Sequence, residues 1–408
     1  MRKLLFLSAF LFPFSVFAQY RTPAQQIATN EDSLHQGVNT HKTVISGYGS
    51  AYYQRDFNLE QSKASLERIV LFVGHQFNNR ISLFTEMELA DGLVIGGEQG
   101  GEIAMEQAFL KFTLNRNHYL VAGLFIPRIG ILNEAHLPVN FNGVERPLVE
   151  TWVIPATWRE LGVGLYGSLE RVPLQYTLAV VNGLDNARFS HGTGIRGGRA
   201  EGSSAWANNL AVTGSLQYPW RDFRFQVSGY VGGTTGLSPR GADSLELPSG
   251  AFGAPVMLGE ANVQYNNGPL SAKALGAAIS LPDAGKINAA YARNIPASLY
   301  GAYAEVGYDV LYHRHKKAQL IPFVRYETLD LNARLPADPE GIIDGTLKQQ
   351  HLIAGLTFLP IPNVAVKADV RLMQTGDQNP QLLINPAPNM LPYQPKNAFL
   401  NIGIGYSF

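Results

Sequence analysis

From Thr43 to the last residue, apolar side chains recur at every second position. In RISLFTEMELA (80–90), Ile81, Leu83, Thr85, Met87 and Leu89 form a mainly apolar set. Arg80, Ser82, Phe84, Glu86 and Glu88 form the mainly polar set between them. In ELGVGLYGSLE (160–170), Leu161, Val163, Leu165 and Leu169 alternate with Gly162, Gly164, Tyr166 and Ser168. NVAVKADVRLM (363–373) sets Val364, Val366, Ala368, Val370 and Leu372 against Lys367, Asp369 and Arg371. Period-2 alternation places each set on one face of a β-strand. A soluble β-sandwich alternates in the same way. Length separates the two, because many of these segments exceed the ~5–6 residues usual for soluble strands.

The pattern predicts strands at 43–54, 64–77, 79–90, 102–114, 118–127, 157–170, 172–182, 204–219, 221–233, 256–266, 269–280, 299–313, 318–330, 347–359, 361–374 and 397–408. A further stretch, KINAAYARN (286–294), is excluded by parity. Short turns at 78–79, 115–117, 170–173, 219–222, 266–269, 313–317 and 360–363 fall on one side only if 281–298 is a single loop on the other. The remaining connections, 128–156, 183–203, 234–255, 281–298, 331–346 and 375–396, are long and rich in Gly, Pro, Asn and Ser. Such asymmetry is expected of a membrane barrel. The expected fold is therefore all-β: a 16-stranded antiparallel transmembrane β-barrel with long external loops and short periplasmic turns. Residues 19–42 are polar and are expected to form a periplasmic lead-in without a strand; 43–408 form the barrel.

Composition agrees. Charged residues make up 16% of the chain, below a usual ~25%, while Gly (41), Tyr (18) and Phe (21) are abundant. After residue 18 no apolar run is long enough for a helical span. A closed barrel is the other structure that satisfies every backbone group in lipid. The head Met1-Arg2-Lys3, the apolar run 4–14 and Val16-Phe17-Ala18 read as a signal peptide, 1–18, which implies export to the outer membrane of a Gram-negative bacterium. The ending NAFLNIGIGYSF places Leu400, Ile402, Ile404, Tyr406 and Phe408 toward lipid, the last two at an aromatic girdle. A terminal aromatic there resembles the signal read by the outer-membrane assembly machinery, so that machinery, outer-membrane lipid and lipopolysaccharide are the expected partners. Formal charge is zero, with 32 basic and 32 acidic residues, which gives no reason to expect a nucleic-acid partner. The absence of cysteine excludes thiol catalysis.

Several stretches resemble the phosphate-selective porin O and P family. They are EQAFLKF (106–112) with VAGLFIPRIG (121–130), VERPLVE (144–150), RELGVGLYGSL (159–169), LAVVNG (178–183) and IPFVRYETLDLN (321–332). Glu160 and Val181 stand where that pattern has Asp and Phe. The resemblance implies a homotrimeric 16-stranded porin with an inward-folded third loop, and anion selection by basic residues lining the pore.

On the face opposite the apolar one, the basic candidates are Arg68, Arg80, Lys111, Arg224, Arg325, Lys367 and Arg371. Glu86, Glu88, Glu260, Glu305, Asp309, Glu327 and Asp369 balance them, so a basic excess does not follow from the pattern. The loop at 128–157 adds Arg128, Arg146 and, beside it, Arg159. These either face permeating anions or brace the loop against carboxylates of the wall, such as Glu86, Glu88 or Glu305. His313 and His315 share a strand face, but metal binding needs further ligands, so no metal site or cofactor is expected. GTGIRGG (192–198) joins no strand to a helix and reads as a flexible surface loop rather than a phosphate cradle. The sequence thus points to passive diffusion of small hydrophilic solutes, and the resemblance implies a preference for anions such as phosphate. The rivals are a barrel-borne hydrolase, for which no local Ser-His-Asp signature exists, and a non-conducting structural or adhesive barrel.

Overall fold

A computed structural model describes residues 21–28, 42–91, 102–203, 205–314, 317–338, 340–382 and 394–408. The strands are β1 (Lys42–Asp56), β2 (Gln61–Gln76), β3 (Ile81–Ala90), β4 (Glu102–Thr113), β5 (His118–Phe125), β6 (Glu160–Ser168), β7 (Gln175–Asn182) and β8 (Leu210–Trp220). They continue as β9 (Phe223–Gly232), β10 (Val256–Asn267), β11 (Leu270–Ser280), β12 (Ser298–Tyr308), β13 (Gln319–Arg334), β14 (Lys348–Ile361), β15 (Val364–Thr375) and β16 (Lys396–Ser407). Each pairs antiparallel with its sequence neighbours, and β16 closes on β1 from Tyr48↔Ser407 to Asp56↔Phe399. Closure leaves no unpaired edge. Among the described residues no helix is long and apolar enough to cross a membrane.

Alternation sets the two faces. Val163, Leu178, Val227, Val324 and Ile404 project outward and are about half exposed, whereas Ser82, Glu305, Lys367 and Asp369 point inward and are buried. At the seam, Tyr406 and Phe408 lie over Gly49 and Gly47; a Cβ on Gly49 would sit 2.5 Å from the Tyr406 hydroxyl. Large aromatics cover bare backbone there on the outer face. Trp220, Tyr308, Tyr312 and Phe408 flank the short-turn end, and Phe57, Trp206, Phe252 and Tyr300 the long-loop end, all substantially exposed. That distribution matches two interfacial girdles.

All sixteen expected strands are present, with limits shifted by a few residues. Most of the 286–294 stretch lies in a helix, α3 (Ala284–Tyr291), which follows the short helices α1 (Pro23–Ala28) and α2 (Pro239–Asp243). Helix α3 buries Ala284 and Ile287, and Asn288 exchanges hydrogen bonds with the backbone of Ile295 at 2.7 and 3.0 Å. Within the polar lead-in, Thr22 and Gln25 cap α1 reciprocally, and Ala24 N–H donates to Ser46 Oγ at 3.2 Å. This packs α1 against β1, β2 and β3. The 1–18 segment and His315 lie outside the described residues. The 192–198 stretch departs from a flexible surface loop. Phe189 and Ile195 are fully buried, and a Cβ on Gly198 would collide with the Phe189 ring.

Four strand pairs shift register, and two of these shifts each leave one extra glutamate. The β1–β2 register shifts between Ser50 and Ala51, leaving Glu67 as the extra residue. The β3–β4 register shifts between Glu86 and Met87, leaving Glu106 extra. A bulge re-aims the side chains that follow it, and here each brings a glutamate to the inner wall. Ser50 Oγ donates to Glu67 at 2.8 Å, and Glu106 is fully buried.

Candidate functional site

The segment joining β5 to β6, residues 126–159, cannot continue either strand. Pro127, Pro138, Pro147 and Pro155 each remove a backbone donor. Gly130 and Gly143 take left-handed φ of 75° and 77°. The segment carries its own apolar surface. Ile129, Leu132, Leu137, Val149, Val153 and Trp158 are buried to within 1%. Their partners are inward-facing side chains of the wall. Tyr48, Phe72, Phe84 and Phe109 form a file of rings across β1 to β4, with centroids 5.5–5.6 Å apart. Trp158 packs on Tyr230 at 4.6 Å. Wall glycines make room. A Cβ on Gly405 would lie 2.5 Å from Pro138 Cβ, and one on Gly301 about 3.0 Å from Val153.

Polar contacts fix the segment at three places. The first is centred on Arg325 of β13, which is 2% exposed. Its Nη1 donates to Glu305 at 3.2 Å and to the Asn142 carbonyl at 3.3 Å, and its Nη2 to the Glu145 carbonyl at 3.1 Å. Arg325 Nε lies 2.8 Å from Glu327 Oε1, yet neither atom has hydrogen-bond geometry, so this is an ion contact only. Around it, Lys367 Nζ donates to the Phe141 carbonyl at 2.7 Å, Val144 N–H to Asp369 at 2.7 Å, and Arg371 pairs with Glu145 at 3.0 Å.

The second ties the loop to itself and to β12. Glu150, in a single π-helical turn (Val149–Val153), accepts from the Ile131 and Leu132 amides at 2.8 and 2.6 Å and from Tyr303 Oη at 2.6 Å. Burial pushes the Glu150 carboxyl above its ordinary value despite these donors. The third joins the loop to β3 and β4. His136 Nε2 lies 3.2 Å from Glu86 Oε1 and 3.6 Å from Glu106 Oε2. Burial opposes a charge on His136, but hydrogen bonding and attraction from the two glutamates outweigh it and raise the imidazole to about 9.

The ten basic candidates fall into distinct settings. Arg68 pairs with Glu88 at 3.2 Å and Glu67 at 3.5 Å. Arg128 pairs with Glu134 at 2.6 Å, and Arg159 with Glu201 at 3.1 Å and Glu106 at 3.8 Å. Arg325, Lys367 and Arg371 hold the loop as described. Lys111 is buried, 5.1 Å over the Tyr119 ring, and Arg224 is half-buried on β9. Arg146 differs: it is half-buried on the loop and makes no ion pair or hydrogen bond among the described residues. Burial first, and then the charge of Arg68, lower its pKa. Arg196, on the 183–209 connection, is likewise lowered by burial, with Arg68 contributing. Arg80 lies in an exposed turn outside β3 rather than on the wall. Sequence reasoning missed Glu67 and Glu106, because alternation cannot anticipate a bulge.

Beneath the loop, at the short-turn end, lies a cavity of about 640 Å³ lined by Asn140, Asn142, Gln264, Lys273 and Glu305 among others. Lys273 and Glu305 are paired at 3.2 Å. Both signs of charge therefore face it.

No known protein family matches the sequence. The chain is 28% identical over 340 residues to an uncharacterized protein of Aquifex aeolicus, covering 80% of this chain and 74% of that one. Solved structures are more informative about shape. The outer membrane channel DcaP of Acinetobacter baumannii superposes with a TM-score of 0.52 at 10% identity, over 90% of this chain and 97% of that one. An anion-selective porin from Comamonas acidovorans gives 0.52 at 10% identity, over 90% and 100%. The fold is that of the outer-membrane porins. At such identity the likeness concerns the fold alone, and the phosphate-selective family resembled by the sequence motifs is not singled out.

Proposed function

We propose that this chain is an outer-membrane channel for passive diffusion of small hydrophilic solutes. The observation that carries the reading is the closed barrel, apolar outside, with an ordered loop held by charged wall residues across its interior. A fixed loop of this kind narrows a bore by size, and charges in a low-dielectric wall act on ions passing it. The test is single-channel recording of the detergent-refolded chain in planar bilayers. Discrete conductance steps are expected; a folded barrel that gives none refutes the proposal.

A preference for anions such as phosphate is the finer reading. Support comes from Arg146, which forms no ion pair among the described residues and feels the charge of Arg68, although Glu67 and Glu106 attract it from a distance. Most other basic candidates are paired with acids, so the preference is expected to be modest. Reversal potential in asymmetric KCl measures it. Export by residues 1–18, assembly through Phe408, a setting in lipid and lipopolysaccharide, and a homotrimeric state belong to the same proposal; chemical crosslinking of the refolded barrel tests the trimer.

A further inference from the structure

We propose that Glu86, Glu106 and His136 form a binding site for one divalent transition-metal ion of the zinc class, which fastens the 126–159 loop to the wall. The three residues come from β3, from the bulge in β4 and from the loop. Their ligand atoms all lie within 4.8 Å of one another, and all three side chains are buried.

The orientation of each group is set by its other polar atom. His136 Nδ1 lies 2.9 Å from the Asn133 carbonyl, so it carries the proton and donates, which turns Nε2 toward the glutamates. Glu86 Oε2 accepts from Gln107 Nε2 at 2.5 Å. Glu106 Oε1 accepts from Thr157 Oγ1 at 2.7 Å. Nε2 and Glu86 Oε1, hydrogen-bonded to each other at 3.2 Å, converge with Glu106 Oε2. Metal-bound histidines and carboxylates are held from behind in this manner.

The spacing also fits an ion in place of the Nε2 proton. Charge-assisted N–H···O bonds run to about 2.7–2.9 Å, and Nε2 stands 3.2 and 3.6 Å from the two oxygens. Donors at about 2.0–2.2 Å from a tetrahedral zinc would be about 3.3–3.6 Å apart. Glu106 Oε2 is fully buried and has no hydrogen-bond partner. The nearest cation to its carboxylate besides His136 is Arg159, 3.8 Å away on the opposite oxygen and shared with Glu201. A dication with a neutral imidazole balances both carboxylates. One nitrogen and two oxygen donors suit zinc, manganese or iron better than calcium. The fourth position falls to water.

The test is refolding of the full barrel in detergent with Zn²⁺ or Co²⁺, then desalting and elemental analysis. About one ion per chain is expected for a single site, with the Co²⁺ form showing the intense visible absorption of low-symmetry coordination. His136→Ala and Glu106→Gln should each lower retained metal at least tenfold, while His118→Ala, at the first residue of β5 and away from the cluster, should not. Heat-modifiability on gels reports whether each variant refolds; where one does not, the wild-type Co²⁺ spectrum decides. A folded wild-type barrel that retains no stoichiometric ion and gives no Co²⁺ band overturns the proposal. So does undiminished metal in folded His136→Ala and Glu106→Gln. Neither outcome depends on conductance, so failure here leaves the channel reading intact.

Discussion

Replacing Arg325 with methionine tests whether the wall charges hold the loop or merely hydrate the interior. The substitution keeps length and apolar volume. It removes donors to the Asn142 and Glu145 carbonyls and the partner of two carboxylates. The carboxylates fare differently. Glu305 keeps Lys273 at 3.2 Å and Asn142 Nδ2 at 3.0 Å. Glu327, fully buried, keeps the amide of Val149 at 3.2 Å. Each lost neutral-acceptor bond costs about 0.5–1.5 kcal/mol, and leaving a buried carboxylate without its cation costs about 3–5 kcal/mol. The single variant should therefore lose about 4–8 kcal/mol, dominated by Glu327. Arg325→Met/Glu327→Gln removes the stranded charge and should recover more than half of that loss. Denaturant unfolding of the refolded barrel, followed by tryptophan fluorescence, gives both numbers, since Trp152 and Trp158 lie in the loop. Tryptic cleavage at Arg128 should speed up in the single variant only. If the single variant lies within ~1 kcal/mol of wild type, or the double variant is no better than the single, Arg325 does not clasp the loop.

Gly405→Val should force Pro138 away, because a Cβ there would lie 2.5 Å from a ring that has no rotamer to escape into. Overpacking of this kind costs about 1–3 kcal/mol, and single-channel conductance should change, whereas Gly276→Ala, with open space around its Cβ, should match wild type in both. Arg146→Ala should lower the anion-to-cation permeability ratio by roughly tenfold at low salt. That follows from about 0.8 kcal/mol of opposite sign for each ion at ~5 Å in a water-like medium. The shift in reversal potential should shrink in 1 M KCl as screening shortens to ~3 Å, and an unchanged ratio would take Arg146 out of the path. On the long-loop end, His191 Nε2 and Asp344 lie 2.9 Å apart. Burial alone would raise the Asp344 carboxyl, but hydrogen bonds from Thr346 and His191 hold it below its ordinary value. A depressed carboxyl stabilises the fold above its unfolded pKa of ~3.9, and that contribution fades as pH falls through the lower folded value. Hydrogen exchange at 342–347 should accelerate only below about pH 4, and Asp344→Asn should remove the acid dependence.

How far the chain could be read depends on what each signal is made of. Strand number, pairing order and closure were legible because alternation and the inequality of the two ends are local properties. The Glu86–Glu88 and Lys367–Asp369–Arg371 faces are inward as the pattern requires. Two things were not legible. A bulge adds one residue and flips the rule, so Glu67 and Glu106 reach the inner wall with nothing in the sequence to announce it. Alternation also says which side chains share a face, not what that face meets. Phe84 and Tyr48 sit on a nominally wet surface, and only the apolar loop at 126–159 explains them. Helix α3 was hidden for a related reason: AGKINAAY has helical and strand-like readings, and the docking of Ala284 and Ile287 decides between them.

The inner wall then bears on how the barrel forms. The loop follows β5, but its partners lie late in the chain: Glu145 meets Asn401 256 residues on, Val144 meets Asp369 225 residues on, and Pro138 rests on Gly405. Contacts of such separation cannot reward loop closure until the last strands are in place. The strands that complete the loop's seat, β15 and β16, are also those that close the cylinder onto β1. Docking of the loop and sealing of the seam are therefore one cooperative step. A change at either place, Gly405 at the seam or Arg325 in the clasp, should slow appearance of the heat-modifiable folded form. Formation of β2 through β11, which needs neither, should proceed at the wild-type rate. Loop variants that fold at the wild-type rate while still lowering stability would separate the two events and place docking after closure.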